Sequence, residues 1–319
     1  MSEGGVGIGL SAAVVAVERD APEILVARAS DGLAGLPSGA FEPARDRTLE
    51  IALRTSIADQ TGLDVGYVEQ LYTFGDRGRA TAPDAPHMIS IGYLALTRRR
   101  RDASLLKEAG AAFRPWYGYF PWEDWRRKRP DLLDQEILPA IDRWAAEAPE
   151  AETGRDLPRL ARARLCFGMD GSPWDEEKVL DRYELLYEAG LVEEARRDGR
   201  PAALAREALP RLGEAMRDDH RRILATAMGR LRAKLKYRPV VFELMPPRFT
   251  LTALQQTVEA VAGRRLHKQN FRRLVESAAL VEPTGQTEAA TGGRPAQLYR
   301  FRREVIEERP APGLRFGRG

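Results

Sequence analysis

The sequence has 319 residues, 43% hydrophobic and 30% charged, with 28 glycines and 21 prolines scattered along it, which excludes a single small domain and a largely disordered chain. Net charge is only +3, yet from Arg217 onward 21 Lys and Arg face 10 Asp and Glu, so the C-terminal third carries about +11 and the rest about −8. No apolar run approaches the ~18 residues of a membrane span, and the single cysteine, Cys166, excludes an internal disulfide and a thiolate zinc site, so a cytoplasmic protein is expected.

The elements are predicted in chain order. Val6 to Val17 lacks a basic leader and ends at Glu18-Arg19, so it reads as a first strand rather than a signal peptide. Leu10 to Val17 and Glu23 to Ala27 flank the turn-like Asp20-Ala21-Pro22, as in a hairpin. After the Gly-rich stretch Gly35 to Gly39, a helix is predicted over Arg47 to Thr61, because Leu49, Leu53 and Ile57 fall four apart and Gly62 stands at the C-cap. Val65 to Phe74 and Met88 to Leu96 read as strands around a Pro- and Gly-containing loop.

From Arg98 the text becomes basic, then aromatic, then Ala-, Glu- and Arg-rich. The cluster Trp116, Tyr117, Tyr119, Phe120, Trp122 and Trp125 is assigned to packing between a sheet and added helices. Residues 147–157 read as a linker or exposed loop, and Asp175 to Glu188 as a helix capped by Gly190. Its end, Leu185 to Glu194, echoes Leu274 to Glu282, both reading as a helix that turns into a short strand. Asp218 to Tyr237 is predicted as a long helix with Ile223, Ala227, Leu231 and Leu235 on one stripe. His87, His220 and His267 lack ligand spacing, and Asp219 with His220 is assigned to helix structure.

The basic segment continues as Val240 to Met245 and Phe249-Thr250-Leu251, which include a short strand, then a helix opened by a capping box of Thr252 and Gln255 and ended by Gly263, and a second helix from His267 to Ala279. Leu280-Val281-Glu282 and Gln297 to Phe301 then flank a Gly-rich loop, which gives the order of a winged helix-turn-helix. The last helix sets Lys268, Gln269, Asn270, Arg272 and Arg273 in its first two turns and leaves Phe271, Leu274 and Val275 for the core. Arg can pair with guanine and Asn or Gln with adenine from such a helix, while Lys and some Arg hold phosphates. With Thr252, His267 and the wing residue Arg294, which can enter a minor groove, these are the predicted DNA-binding residues. Winged helices also serve protein interaction, and that alternative stays open.

Leu36-Pro37-Ser38-Gly39-Ala40-Phe41, the helix ending Asp59-Gln60-Thr61-Gly62-Leu63, and Glu69 to Asp76 together resemble a Nudix domain, the last piece most of all the members that handle ADP-ribose. Anchored on Gly62-Leu63, the three helix carboxylate positions fall on Ser56, Asp59 and Gln60, the arginine position on Thr55 and the upstream glutamate position on Arg47. One surviving acid cannot hold the magnesium ions of diphosphate hydrolysis. The loop glycine position falls on Phe41, and Ser38 stands where a second glycine is usual.

A Nudix-like domain followed by a winged helix resembles the Nudix-related transcriptional regulators of NAD metabolism. Asp219-His220-Arg221-Arg222-Ile223, Leu231 to Tyr237, Phe249 to Gln255, Asn270-Phe271-Arg272-Arg273 and Gly293-Arg294-Pro295-Ala296 are similar to that family's signature. The resemblance covers roughly residues 8–96 and 217–303, and the long stretch between resembles a longer proteobacterial subgroup at best. It implies an α/β/α sandwich with a helical insertion and a winged helix. It also implies a homodimeric repressor of palindromic operator DNA, released by ADP-ribose or a related nucleotide, with neither membrane partner nor resident cofactor or metal.

The expected division is 1–125 for effector binding and dimerisation, 126–216 for an insertion, 217–308 for a linker helix and winged helix, and 309–319 for a tail. Expected effector residues are Arg28, Phe41, Tyr72, Phe74 and Arg79, the aromatics to stack an adenine and the arginines to meet a diphosphate, although Tyr72 and Phe74 would also fit a core. The alternative is a pyrophosphatase acting on ADP-ribose or NAD with a regulatory winged helix.

Overall fold

A computed structural model describes residues 6–28, 32–76, 87–99, 104–148, 157–288, 295–308 and 313–314. The first strand, β1 (Val6–Glu18), turns into β2 (Ala21–Arg28), and two short strands follow, β3 (Ala34–Gly35) and β4 (Ser38–Ala40). Helix α1 (Leu49–Thr61) starts at Thr48, whose side chain accepts from the Ile51 amide at 3.2 Å, and stops at Gly62 with φ 65°, a conformation that a residue lacking Cβ adopts without strain. Then come β5 (Tyr67–Phe74), β6 (His87–Leu96), α2 (Ser104–Glu108) and β7 (Ala111–Pro115). The sheet runs β3-β2-β1-β6-β5, with β4 also on β1 and β7 also on β2; β1 and β6 are parallel and the remaining pairs antiparallel.

Strand alternation divides β1 between two cores. Leu10, Ala12, Val14 and Ala16 face Ala52, Leu53 and Ile57 of α1, while Ala13, Val15 and Val17 face the opposite side. That opposite side is covered by the long helix numbered α8 below. The helix expected as a link to the DNA-binding region is therefore the second layer of the sandwich, and the boundary expected at 216 falls within continuous packing.

The inserted residues form α3 (Leu138–Ala146), α4 (Arg159–Phe167), α5 (Val179–Glu188), α6 (Glu193–Arg197) and α7 (Pro201–Leu204). Leu191-Val192 leads directly into α6 rather than into a strand, so the apparent echo of the later helix end does not extend to structure. The aromatic assignment holds: Trp116, Tyr119, Phe120 and Trp122 are buried, and Tyr117 and Trp125 pack beside them.

Helix α8 (His220–Leu235) buries Ile223, Ala227, Leu231 and Leu235, the stripe read from the sequence. Val240–Glu243 forms a 3-10 turn. Helix α9 (Leu251–Ala262) is capped by Thr250, which accepts from the Ala253 amide at 3.1 Å; Thr252 is not the cap, and Gln255 turns instead to Glu259 and the Leu266 carbonyl. Helix α10 (Lys268–Ala278), β8 (Val281–Glu288), β9 (Ala296–Phe301) and α11 (Val305–Glu308) complete the chain. Phe249 and Tyr299 exchange backbone hydrogen bonds of 3.0 and 2.8 Å, and Phe242 stacks on Phe301 with centroids 4.3 Å apart, which ties the wing to the helices. No helix among the described residues is long and apolar enough to cross a membrane.

Candidate effector pocket and nucleic-acid interface

Two places combine exposed or cavity-lining polar groups with the motifs read above. The first is a cavity of about 290 Å³ whose walls include Ser11, Ser38, Gly39, Asp76, Ser90 and His220. The segment entering α8 is held against it: the Arg217 amide donates to Ala34 O at 2.9 Å, and Arg217 Nη2 lies 3.4 Å from Ser38 Oγ. The Leu36 amide donates to His220 Nδ1 at 2.9 Å, so the ring proton sits on Nε2, which faces Ser11 Oγ at 3.2 Å. His220 thus donates to Ser11 and cannot act as a base toward it. Burial first, then the charges of Arg217 and Arg197, together push the imidazole pKa down to about 3, so the ring is neutral.

On the α1 side of the same loop, the Ser38 amide donates to Gln60 Oε1 at 3.2 Å while Gln60 Nε2 donates back to Ser38 O. A side-chain amide satisfies both backbone groups, whereas a carboxylate would satisfy one and repel the other. Gln60 is therefore a clasp that holds the loop to the helix. Ser56 lies so close that a Cβ on Gly39 would clash with its Oγ. Among the described residues no group of three or more His, Cys, Asp or Glu side chains gathers as a metal site.

The expected effector residues do not converge. Phe41 packs half-buried on the α1 face, whereas Phe74 is buried on the α8 face with the Arg222 guanidinium 4.5 Å from its ring centroid. Tyr72 is half exposed beside Arg230 and lines a separate cleft with Asp175 and Tyr237. A bulge between Gln70 and Thr73 breaks the alternation of β5, so that Leu71 and Phe74, three apart, share one core. Arg28 pairs with Ala34 through the backbone of β2; its side chain, like Arg79 and Arg294, lies outside the described residues. Sequence reasoning missed Ser11 and Gln60 as cavity and loop partners, and it assigns His220 to helix structure alone; the Asp219-to-Ile223 motif was the available signal.

The second place is the outer face of α10. Thr252, His267, Lys268, Gln269, Asn270, Arg272 and Arg273 are all exposed, whereas Phe271 and Val275 are buried, so the period of the helix separates donors from core. Asn270 Oδ1 accepts from Arg273 at 3.3 Å; the side chains of Lys268, Gln269 and Arg272 make no hydrogen bond or ion pair among the described residues. Buried Glu259 accepts from the Leu266 amide at 2.9 Å and from Arg265 at 2.7 Å, which fixes the turn that presents α10.

Residues 241–301 match the family described as the NrtR DNA-binding winged helix domain. The ADPR responsive transcriptional repressor NtrR of Acinetobacter baylyi is 47% identical over 83 residues, a match that spans 26% of this chain and 33% of that relative. Shewanella oneidensis NrtR in complex with a 27mer DNA superposes over 94% of this chain and 95% of its own, at 19% identity and a TM-score of 0.56. This is the NrtR fold. A second structure of Shewanella oneidensis NrtR agrees, at 19% identity, a TM-score of 0.51 and coverage of 93% and 95%. The resemblance to Nudix-related regulators and the expected sandwich, insertion and winged helix are thus borne out, and the NrtR fold here has α10 as the second helix of its helix-turn-helix.

Proposed function

We propose that the protein is a transcriptional repressor that binds operator DNA through α10 and the wing and releases it when ADP-ribose or a related nucleotide binds. The observation that carries this reading is the exposed donor row of α10, in which Lys268, Gln269 and Arg272 have no partner among the described residues, in a segment that matches the NrtR winged helix. Donors in the first turns of such a helix reach base edges in the major groove, and Thr252, His267 and Lys268 hold the phosphates beside it. As a homodimer, the protein would set two α10 helices about 34 Å apart, one turn of DNA.

The pocket beside Ser38 and His220 is the effector site in this reading. Its serine hydroxyls and the Asp76 carboxylate suit pentose hydroxyls, and Arg217 brings a cation to its rim. Gln60 and Ser56, where carboxylates would gather magnesium, support a domain that senses the nucleotide without hydrolysing it.

Fluorescence anisotropy on DNA from upstream of the protein's own gene and of neighbouring NAD-metabolism genes, at fixed salt, tests the reading. Selective binding reversed by ADP-ribose, NAD or nicotinamide mononucleotide is expected. Magnesium-dependent turnover of ADP-ribose that Asp59→Asn abolishes, without selective DNA binding, would replace it with the pyrophosphatase.

A further inference from the structure

Helix α8 has one end in the pocket wall and the other in the DNA-binding domain. His220, in its first turn, joins Ser11 on β1 to the backbone of Leu36, two residues before Ser38. Arg232, twelve residues on and about 18 Å along the axis, donates from Nε to Val261 O at 3.0 Å, in the last turn of α9.

Two further carbonyls at that end of α9 are taken up by the segment 116–125. Tyr117 Oη donates to Ala260 O at 2.7 Å, and the Trp125 amide donates to Gly263 O at 2.7 Å. The approach is close: Gly263 has φ 74°, and a Cβ there would lie 2.5 Å from the Glu123 carbonyl oxygen. The free carbonyls of a helix end, which normally meet water or a local cap, are thus spent on docking the first helix of the helix-turn-helix.

Glu123 holds this grip together. Its carboxylate receives Arg232 Nη1 at 2.7 Å and Arg182 of α5 at 2.6 and 2.9 Å, and all three side chains are at most 1% exposed. Burial alone would raise the carboxyl pKa, but Arg182 and then Arg232 outweigh it and hold Glu123 ionised. Arg182 continues to the carbonyls of Cys166 and Asp175 at 2.9 Å each, which brings the inserted helices into the same network.

We propose that α8 is the rod through which an occupant of the pocket moves the winged helix, with Tyr117 and Glu123 as positioning residues that make α9 follow it. This rests on the effector-gated reading above. It also gives the insertion a role, since α5 and the 116–125 segment supply the buried charges that prevent α9 from swinging free of α8.

The test is the factor by which saturating ADP-ribose raises the Kd for operator DNA in the full-length protein, with Tyr117→Phe and Glu123→Gln as variants, each checked by its melting curve. The wild-type factor should fall in the ordinary range of about 5- to 150-fold, and by linkage DNA should weaken ADP-ribose binding equally. In the variants the factor should drop below about 3 while each ligand alone binds within about 3-fold of wild type. Tyr117→Phe removes one hydroxyl and keeps the ring, so it reports even where Glu123→Gln fails to fold. Hydrogen exchange over residues 251–263 gives a second readout without DNA: ADP-ribose should alter it in wild type and not in Tyr117→Phe. Full release by ADP-ribose in folded variants, or weaker DNA binding with an unchanged factor, overturns the coupling. Wild-type protein that binds DNA and ignores ADP-ribose overturns the regulator reading itself, and with it the signal that α8 would carry.

Discussion

The polar side chains around the Ser38 loop and those along α10 are in opposite situations. Gln60, His220 and Ser11 are paired with one another or with backbone, and their hydrogen bonds hold the loop, α1 and α8 together. Lys268, Gln269 and Arg272 project from a helix whose other face is anchored by Phe271 and Val275. Gln60, Ser11 and His220 are thus internal fasteners, while the donor side chains of Lys268, Gln269 and Arg272 stay exposed. A satisfied buried group contributes to stability, and an exposed donor contributes nothing until a partner arrives.

The largest expected effect is on the open side of that contrast. Arg272→Ala and Arg273→Ala should each weaken operator binding by about 1–3 kcal/mol, seen as anisotropy midpoints displaced by about 5- to 150-fold with unchanged melting curves. Unchanged affinity in both would remove α10 from the interface. On the closed side, His220 is neutral when folded and has an ordinary pKa when unfolded, so the unfolded chain binds the extra proton below pH about 6.5. Its contribution is complete above that pH and declines as pH falls toward about 3, by about 2 kcal/mol between pH 7 and 5. Urea titrations of wild type and His220→Gln at both pH values should differ by that amount, and parallel losses would show that His220 is not held neutral. The smallest change is Gln60→Glu, which removes the donor to Ser38 O and should cost about 1 kcal/mol in the same titrations, without creating magnesium-dependent turnover of ADP-ribose. A stabilised variant would refute the clasp.

Much of this was legible because it is local. The spacing of Leu49, Leu53 and Ile57 with Gly62 marks α1, and alternating donors with Phe271 and Val275 mark the faces of α10. The convergence expected of Phe41 and Phe74 was not legible, since a bulge in β5 and the two-sided sheet put them in different cores. The placement of Thr252 as a cap failed by two residues, because Thr250 satisfies the same pattern and only the backbone at the helix entry distinguishes them.

The sequence by itself determined the helix faces, the basic C-terminal module and the neutral residues Ser56 and Gln60 along α1, since periodicity, charge and residue type depend on near neighbours. Tertiary structure alone decided that α8 covers the sheet, that Gln60 clasps Ser38 and that Glu123, Arg182 and Arg232 meet in one buried network. The hydrogen bonds of the clasp and the network join residues 22 to 109 positions apart, and Ser11 meets His220 across 209. Each of these polar groups has several possible partners along the chain, and packing the two faces of the sheet determines which of them lie within hydrogen-bonding distance.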